Sequence, residues 1–512
     1  MGAYFFQAEP AGHFATVYQD LANSLVSEPP SPIVRQGMRE RLVRCLWFDQ
    51  EFDEALRTEA GEKLTVLSPG WWNLESGADF KHAAAKLSGG ATLKGDVEIH
   101  TYASGWTQHG HHKDEAYNNV ILHVVMWNDT GRETTTLQDG REIPIVPLDR
   151  VVGRTPEELT ETLNSEEYPH ASAGSTGRCQ ELLSRQAIDP EWIGQFLDHA
   201  GDERMLNKAA RFADMPEADD PESMLYVSLM EAAGFKKNKK PMGRLARLVP
   251  RDAAARLLAD GGIVALQAAL FGMAGLLPEQ LELPGAEPDT ETAAYVGQLR
   301  RSWDNVRGSL EVEPVEPRAW TFSGTRPVNY PTRRIAGMSR LLERAAESGG
   351  LMPTLERELQ RAPATPSRRI ARSPAAKAIN ALLTGVKDEY WSRRTTFGGK
   401  KLRSDTKLIG ANRAVIMFVN AIVPILLAGA RASGDRDTEN RLHRAYATLP
   451  KLPGNSVHRF MASRIFGGDE PASEIVTSAR RQQGLLQLFR DYCEHDADGC
   501  RRCAFAEALD AK

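Results

Sequence analysis

The chain has 512 residues, of which 41% are hydrophobic and 26% are charged, and its formal net charge at pH 7 is -5. This composition is ordinary for a globular protein, and the length predicts roughly two to four domains. Five cysteines are too few for a disulfide scaffold, and the first residues lack the basic region and long apolar run of a signal peptide.

The most apolar stretch, residues 414–430, contains Asn420 and Pro424. It is shorter than the roughly 20 apolar residues that a membrane-spanning helix needs. We therefore expect a buried, kinked helix there, no membrane association and a cytoplasmic protein. The sequence has no Walker loop, no G-x-G-x-x-G opening a helix and no G-x-S-x-G elbow, so nucleotide hydrolysis and serine-esterase chemistry have no support.

The N-terminal part alternates between helical and strand patterns. Leu42, Cys45, Leu46, Phe52 and Leu56 are spaced for one face of an amphipathic helix, which we expect to run from residue 36 to a stop near residue 61. Strand patterns follow at residues 64–67, 80–87, 97–102, 120–127 and 142–146, and a Gly-Gly turn precedes the third of them. These elements predict an α/β domain.

Histidines are concentrated between residues 95 and 129, which hold five of the twelve in the chain. Side chains alternate along a strand, so Asp96, Glu98 and His100 share one face. Three neighbouring ionisable groups are costly to bury unless they meet a metal ion, each other or water. The alternative is the solvated face of an edge strand. The connection and the next strand add His109, His111, His112, Asp114 and His123, which favours a divalent-metal or acid/base site.

Asp79, at the start of one strand, and Glu98-x-His100 on the next resemble the PD-(D/E)xK nuclease core. In that core an aspartate and a (D/E)-x-K strand hold magnesium, and a helix glutamate often assists. The resemblance implies that Asp79 and Glu98 hold Mg²⁺ or Mn²⁺, and that His100 or His109 activates or orients water. His100 occupies the lysine position; an imidazole can position or deprotonate water and can also bind metal itself. The remaining acidic and imidazole groups would be additional ligands or supporting groups: Asp96, His111, His112, Asp114 and His123.

From residue 155 onward the pattern is helical. Helices are predicted at residues 180–185, 190–212, 221–234, 243–259, 262–275 and 293–307, and later at 402–430, 439–448, 457–466 and 472–490. The predicted fold class is α+β, with an N-terminal mixed-sheet nuclease-like domain followed by a larger, mainly α-helical region. The segments are an extension (1–34), the nuclease-like domain (35–155), a helical domain (156–360), a basic linker and helix (361–400) and a helical C-terminal domain (401–512).

Three basic stretches make nucleic acid the expected partner. Residues 231–250 hold six Lys or Arg against one Glu, and residues 361–403 hold eleven against two acidic residues. A polyanion is the natural partner of such patches, although a solvated basic surface is the alternative. In the stretch from Trp320 to Arg334, arginines beside aromatic rings could clamp phosphate or pin one helix pair to another. The candidate contacts are Lys236, Lys237, Lys239, Lys240, Arg326, Arg333 and Arg334.

A cysteine cluster lies near the C-terminus. Cys493, Cys500 and Cys503 form C-x6-C-x2-C, with His495 inside the first loop. Three thiolates and one imidazole suit a structural Zn²⁺ site, and an iron–sulfur cluster is the less favoured alternative. Three reduced cysteines in a disordered tail remain the plain alternative.

Long motifs also resemble a bacterial family, the domain-of-unknown-function (DUF) family 2851. They are SPGWWNLESGADF, GDVEIHTYASGWTQHGHHKDEAYNNVILHVV, GFKKNKKPMGRLA, TRPVNYPTRRIA and the cysteine region. The chain differs from the family pattern at Gly105, where an aspartate is expected. The family carries no assigned activity. Three hypotheses follow: a metal-dependent nuclease-like protein, a non-catalytic nucleic-acid-binding or scaffold protein, and a transition-metal enzyme whose histidine cluster acts on a small substrate.

Overall fold

The structure is a computed structural model. It describes residues 40–50, 52, 54–74, 76–88, 90, 92–153, 159, 168, 177–185, 189–213, 220–279, 289–310, 312–322, 325–360, 383–493, 503, 505 and 506. The chain divides into two compact units. The sheet unit comprises the described residues within 22–186, 454–471 and 496–512, and the helical unit comprises those within 187–453 and 472–495.

The sheet unit contains seven strands and a set of short helices. The strands are β1 (Leu64–Ser68), β2 (Trp71–Trp72), β3 (Phe80–Leu87), β4 (Thr92–Tyr102), β5 (Val120–Trp127), β6 (Thr134–Thr136) and β7 (Glu142–Pro147). Helix α1 (Glu40–Asp49) precedes the strands. The connection from β4 to β5 contains α2 (Gly105–Gln108) and the 3₁₀ turns His111–Lys113 and Glu115–Tyr117. Later parts of the chain add α3 (Arg178–Arg185), α14 (Ser456–Phe466) and α15 (Asp469–Ile475).

The strand order is β1-β3-β4-β5-β7-β6, and β2 pairs with β3. The β1–β3, β2–β3, β3–β4 and β6–β7 pairs are antiparallel, whereas β4–β5 and β5–β7 are parallel. A parallel pair needs a crossover connection, and the segment between β4 and β5 provides it. That segment carries His109, His111 and His112, three of the five histidines between residues 95 and 129, so the crossover determines where these three lie.

One face of the sheet packs on helix α1. Val97 and Ile99 of β4 share a buried cluster with Leu42 and Leu46 of the helix and with Phe80 of β3. Because successive side chains in a strand point to opposite faces, the even-numbered residues of β4 lie on the other side. Asp96, Glu98 and His100 therefore share the face that the crossover covers.

Helix α1 is shorter than the apolar spacing predicted. Among the described residues it ends at Asp49, and Gln50 has a positive φ of 54°. Leu56 is buried, and it accepts a backbone hydrogen bond from Leu64. The apolar residues after Asp49 thus continue the core from an extended turn next to β1, because burial can be achieved there without helical backbone.

The helical unit holds the longer elements. They are α4 (Pro190–Ala213), α5 (Pro221–Ala233), α6 (Phe235–Leu248), α7 (Arg251–Met273), α8 (Thr290–Val306), α9 (Pro331–Ala346), α10 (Leu351–Gln360), α11 (Ala411–Met417), α12 (Val423–Ser433), α13 (Arg436–Ala447) and α16 (Ala479–Leu488). Short 3₁₀ turns are Arg307–Ser309, Pro317–Ala319 and Pro327–Asn329, and π-turns are Phe418–Ile422 and Phe489–Cys493. The expected fold class, a mixed-sheet domain followed by a mainly helical region, is confirmed.

The predicted helices at 221–234 and 243–259 left the lysine-rich residues 235–242 in a connection between them, and this prediction is wrong: these residues belong to helix α6. The helix begins at Phe235 and includes Pro241. Buried Asn238 anchors it: its side chain donates to the Thr321 carbonyl and accepts from the Thr321 N–H, both at 2.8 Å. This pair of hydrogen bonds holds a first turn that the lysines and proline alone would not favour.

The apolar stretch forms a buried helix with an irregular centre, as expected. A π-turn separates α11 from α12, and Pro424 lies at the start of α12. By length and composition alone, Arg251–Met273 and Ala411–Ser433 could each cross a membrane, and 44% and 72% of their most apolar windows are buried inside the protein. Core helices pass the same test. The five-segment division and the cytoplasmic location stay predictions.

Candidate metal centre

The centre lies on the sheet face opposite helix α1. Glu98 of β4 is directly opposite His123 of the parallel strand β5, and His100 follows two residues later on the same face. Helix α2 and the turn after it bring His109 and His111 back over this face. Four of these side chains are buried, with exposed fractions of 8% or less: Glu98, His100, His111 and His123. His109 is exposed.

Three imidazoles form a hydrogen-bonded row that leads from the interior to the surface. The Nδ1 atom of His123 lies 2.8 Å from the Thr135 hydroxyl, and its Nε2 atom lies 3.0 Å from His100 Nδ1. His100 Nε2 then lies 3.1 Å from Nδ1 of His109, which is exposed. Burial, and next the neighbouring His123, His111 and His109, lower the pKa of His100 to about 2; burial, and next His111, lower that of His123 to about 3. Both rings are therefore neutral.

His100, His109 and His111 each offer a ring nitrogen, and these three nitrogens all lie within 4.8 Å of one another. Among the described residues this is the group of potential ligands close enough to share one ion. Buried His111 Nε2 is 3.3 Å from a Glu98 oxygen, yet among those same residues it has no hydrogen-bond partner. Neutral imidazoles with converging nitrogens are typical metal ligands.

Glu98 is the carboxylate nearest to the three imidazoles. One oxygen accepts a hydrogen bond from the Asp79 N–H at 3.0 Å. The other lies 3.3 Å from His111 Nε2 and 4.0 Å from His100 Nε2. Burial raises the pKa of Glu98 to about 8, although the hydrogen bond from Asp79 opposes this. A bound cation would lower that pKa again, because it favours the ionised form.

Asp79 lies next to Glu98, but both of its oxygens have partners. One accepts from the Ile99 N–H at 3.1 Å, and the other lies 3.0 Å from the Arg44 guanidinium. Arg44 also pairs with Glu40 of helix α1. Burial raises the pKa of Asp79 well above the usual carboxyl range, while Arg44 acts in the opposite direction. These contacts favour a role in holding Glu98 and helix α1 in place; the assignment of Asp79 as a ligand stays a prediction.

The remaining sequence candidates do not join the cluster. Asp96 accepts from the Lys81 ammonium at 2.9 Å and from the His82 N–H at 3.2 Å. Exposed Asp114 caps the next turn through the Ala116 N–H at 2.9 Å. His112 is half-buried, and among the described residues its Nδ1 has no hydrogen-bond partner.

Aromatic side chains enclose the imidazoles. Buried Trp106 donates from its indole nitrogen to the Thr136 carbonyl at 3.2 Å, and its ring is 5.4 Å from His111. Tyr117 also packs against His111, with ring centroids 3.9 Å apart. Gly105 contacts His100 so closely that a Cβ atom there would be 2.7 Å from the ring. The glycine lets helix α2 approach β4.

The candidate nucleic-acid contacts are placed differently from one another. Lys237, Lys239, Lys240 and Arg326 are exposed, and the side chain of Lys236 lies outside the described residues. Arg333 and Arg334 are buried, with exposed fractions of 0% and 4%. Arg333 donates to the carbonyls of Trp391 and Thr406, both at 3.1 Å. For these two arginines the contacts favour the structural alternative over phosphate binding.

The cysteine cluster falls partly outside the described residues. Cys493 ends the last π-turn and Cys503 is half-buried. His495 and Cys500 lie outside the described residues, so the Zn²⁺ site stays a prediction.

The family model described as "Protein of unknown function (DUF2851)" matches residues 40–453, more than half of the chain. The chain belongs to this family. Neither the curated proteins nor the solved structures include a match. The matched range of DUF2851 contains the whole imidazole cluster, Glu98 and Asp79.

Sequence reasoning missed two groups of the centre. Arg44 meets Asp79 from helix α1, and Thr135 meets His123 from β6. Because Arg44 follows Glu40 by four residues, the sequence indicates only an ordinary ion pair between them on the helix surface. No local pattern distinguishes Thr135 from its two threonine neighbours, because its contact with His123 depends on strand pairing.

Proposed function

We propose that this protein is a metal-dependent hydrolase that cleaves phosphodiester bonds in nucleic acid. The observation that carries the proposal is the convergence of ring nitrogens from His100, His109 and His111 beside Glu98. This ligand set is richer in imidazole than the Asp79–Glu98 pair expected from sequence. It suits Zn²⁺, Mn²⁺ or Fe²⁺ better than Mg²⁺, which prefers oxygen ligands.

The hydrogen bonds around His100 fit such an ion. If His100 Nδ1–H donates to His123 Nε2, His100 Nε2 carries a lone pair; it lies 3.1 Å from His109 Nδ1, and a metal would replace that hydrogen bond. His123 Nδ1–H then donates to the Thr135 hydroxyl, which fixes the same tautomer along the row. Metal-bound histidines usually have such a partner on the second nitrogen, because it fixes the ring and raises its basicity.

A bound ion would lower the pKa of a water molecule and neutralise charge on the phosphoryl oxygens. Glu98, held by the Asp79 N–H, would accept the proton of the attacking water. Exposed His109 lies at the solvent end of the cluster and can pass a proton to bulk water. Trp106 and Tyr117 pack beside His111 and would limit the access of other water molecules to the ion.

The phosphodiester assignment is supported by the order of elements. The elements follow the order of the nuclease core that the sequence resembles. Helix α1 carries Glu40, Asp79 precedes β3, and β4 carries Glu98-x-His100. A parallel strand, β5, then pairs with β4. Arg44 joins the helix to the strands through Glu40 and Asp79.

The test combines metal content with cleavage. Purified wild-type protein, His100→Ala and Glu98→Gln would be loaded with Zn²⁺ or Mn²⁺, analysed for bound metal and incubated with labelled single- and double-stranded DNA and RNA. We expect His100→Ala to lose most of the bound metal, and Glu98→Gln to lose cleavage by about 100-fold or more. His112→Ala is the matched control, because it changes a neighbouring imidazole that is outside the cluster. Folded variants with unchanged metal and cleavage would contradict the proposal.

A metalloenzyme acting on a small substrate is the second candidate. The imidazole-rich set favours it equally, because such sites serve many hydrolytic reactions. Stoichiometric metal that depends on His100, combined with cleavage of small phosphodiesters or esters but of no polynucleotide, would select it. Salt-sensitive nucleic-acid binding without metal-dependent turnover would instead select a non-catalytic binding protein.

A further inference from the structure

The sheet face that carries the candidate metal centre continues toward the strands at the other edge, where several of the described side chains are exposed. Trp71 of β2 is directly opposite Lys81 of β3, so both side chains lie on that face. Lys81 is paired with Asp96, which confirms the side. Trp71 is 74% exposed, the highest value among the large hydrophobic residues that the structure describes as exposed.

Two further lysines lie on the same face. Lys94 of β4 is opposite Ala84 of β3, and Lys86 of β3 is opposite Thr92 of β4 and Thr65 of β1. Their chain neighbours Ala85 and Leu93 pack into the core on the α1 side, so Lys86 and Lys94, one residue further along each strand, point away from it. Both lysines are exposed, and within the described ranges neither forms an ion pair.

The acidic groups of this face are already neutralised or buried. Asp96 is paired with Lys81, and Glu98 is buried in the centre. The exposed part therefore presents two lysines without a described ion pair next to the largely exposed Trp71 ring. The His82 ring contacts this indole in a T-shaped arrangement, with ring centroids 5.7 Å apart. A protein partner of this patch would have to supply both an acidic segment and an apolar cap, whereas a single-stranded nucleic acid supplies phosphates and stacking bases in one chain.

We propose that this face, defined by Trp71, Lys86 and Lys94, binds single-stranded nucleic acid and leads it to the metal centre. A base stacks on the Trp71 ring, and Lys86 and Lys94 contact backbone phosphates. The inference rests on the proposed function for what happens at the metal, but the binding itself needs no metal. It also separates this face from the lysines of helix α6, which belong to the helical unit.

The dimensions of the strands fit a short segment of such a chain. Trp71 is aligned with Lys81, and Lys86 is five residues further along β3. At about 3.3 Å per residue the separation is roughly 16 Å, less the shortening at the irregular register near residues 80–83. A few nucleotides of extended single strand cover this distance. A rigid duplex would place its bases inside the helix, out of reach of the indole ring.

The experiment measures binding without turnover. The full-length protein would be titrated in EDTA against a fluorescein-labelled oligothymidylate of about twelve nucleotides, followed by anisotropy at several salt concentrations. We expect Trp71→Ala to weaken binding about tenfold and Trp71→Phe to retain most of it, because a ring can still stack. The double variant Lys86→Gln/Lys94→Gln should reduce the slope of log K against log salt by about 1.4, since each phosphate contact contributes about 0.7 on a single strand.

The matched control is Arg132→Gln/Arg150→Gln. It removes the same charge from exposed positions of the sheet unit that are outside this face. If the control lowers the salt slope as much as the lysine variant, the attraction is general and the proposed face is refuted. Binding by Trp71→Ala equal to wild type also refutes it. So does light scattering that shows a wild-type dimer broken by Trp71→Ala, because the face would then join two copies of the chain.

The two proposals fail separately. A chain that binds through Trp71, Lys86 and Lys94 but never cleaves with any metal would refute the hydrolase and leave this face supported. If wild type, Trp71→Ala and Lys86→Gln/Lys94→Gln all cleave single strands equally well, the face is refuted and the hydrolase remains supported.

Discussion

Burial holds the His100 ring in the neutral form that the proposed metal site requires. A ring in water would be partly protonated near neutral pH, and a protonated imidazole has no lone pair for an ion. Here burial and the neighbouring rings lower its pKa to about 2, so the neutral ring is present at any physiological pH. The tautomer then depends on His123, whose other nitrogen contacts Thr135. In the proposed metal site, His123 would therefore be a positioning residue.

Replacing His123 tests this role. His123→Leu removes the acceptor for His100 Nδ1–H, and we expect the affinity for Zn²⁺ or Mn²⁺ to fall by about 10- to 100-fold. His123→Gln, which keeps a side-chain oxygen, should lose less. Competition with a chelating dye measures both, and thermal unfolding checks that both variants fold. Equal metal affinity for His123→Leu and wild type would remove the positioning role.

Among elements, the pairing of β4 with β5 matters most, because it brings His123 beside Glu98. Gly95 lies close to the residues at the start of β5. A Cβ atom there would be 2.4 Å from the Asn119 carbonyl oxygen and 2.6 Å from the Ile121 side chain. The first of these is backbone and cannot rotate away. Only glycine allows the crossover to enter β5 at this distance.

We therefore expect Gly95→Ala to destabilise the sheet unit by about 1–3 kcal/mol, as overpacked sites do, and to lower metal affinity with it. Gly90→Ala is the control, because a Cβ atom there meets no described atom within 4 Å. Urea unfolding of both variants, followed by circular dichroism, measures the difference. A Gly95→Ala protein as stable as Gly90→Ala would contradict the close approach.

Helix α9 carries two of the arginines expected to bind phosphate, and it uses them for internal contacts. Arg333 donates to two carbonyls and to the Thr406 hydroxyl at 2.7 Å, and Arg334 donates to the Leu408 carbonyl and to Asn329. Burial lowers the pKa of Arg334 to about 9. These hydrogen bonds attach the helix to the segment after Lys387, which has little regular structure of its own.

Arg333→Ala should lower the free energy of unfolding by about 3 kcal/mol or more, because buried carbonyls lose charged donors. Arg326→Ala, at an exposed position of the preceding turn, should change it by less than about 0.5 kcal/mol. Chemical denaturation gives both values. If Arg333→Ala is as stable as wild type and weakens oligonucleotide binding instead, the phosphate-binding interpretation regains support.

At the scale of the whole molecule, contacts between distant parts of the sequence hold the helical unit together. Asp202 of α4 is fully buried. One of its oxygens accepts from Arg480 of α16 at 2.8 Å, and the other lies 3.2 Å from His443 Nε2 of α13. Burial disfavours the charge of Asp202, but Arg480 and the hydrogen bond with His443 outweigh it and lower the pKa below the usual 3.8. The charged carboxylate is thus the form that stabilises the unit.

The sign of the pH dependence follows. A lowered pKa in the folded state contributes stability that is present above about pH 3.8 and is lost as the pH falls through the lower folded-state value. Asp202→Asn should be about 3–5 kcal/mol less stable at pH 7, because Arg480 loses its buried partner. The variant should also lose less stability than wild type between pH 4 and pH 2.5. Urea unfolding across this range measures both; parallel pH curves would contradict the assignment.

The predicted C-terminal Zn²⁺ site can be separated from the histidine centre by elemental analysis. If Cys493, His495, Cys500 and Cys503 hold one zinc, Cys500→Ala should lose one equivalent, and His100→Ala should leave that equivalent in place. If Cys500→Ala, purified without chelator, contains as much metal as wild type, the predicted Zn²⁺ site is contradicted.

Local sequence determined the fold class of this protein, most of its central strands and part of its candidate centre, but not the end of helix α1 or the helical state of the lysine-rich stretch. The alternation from Asp96 to His100 is a strand property, so it places Glu98 and His100 on one face whatever the rest of the chain does. Only the tertiary structure decided which histidines meet, because His109, His111 and His112 lie in a crossover whose path depends on the parallel pairing of β4 with β5. The same reason separates Arg326 from Arg333: one stretch of sequence carries both, and only packing shows that one is exposed and the other is buried against carbonyls.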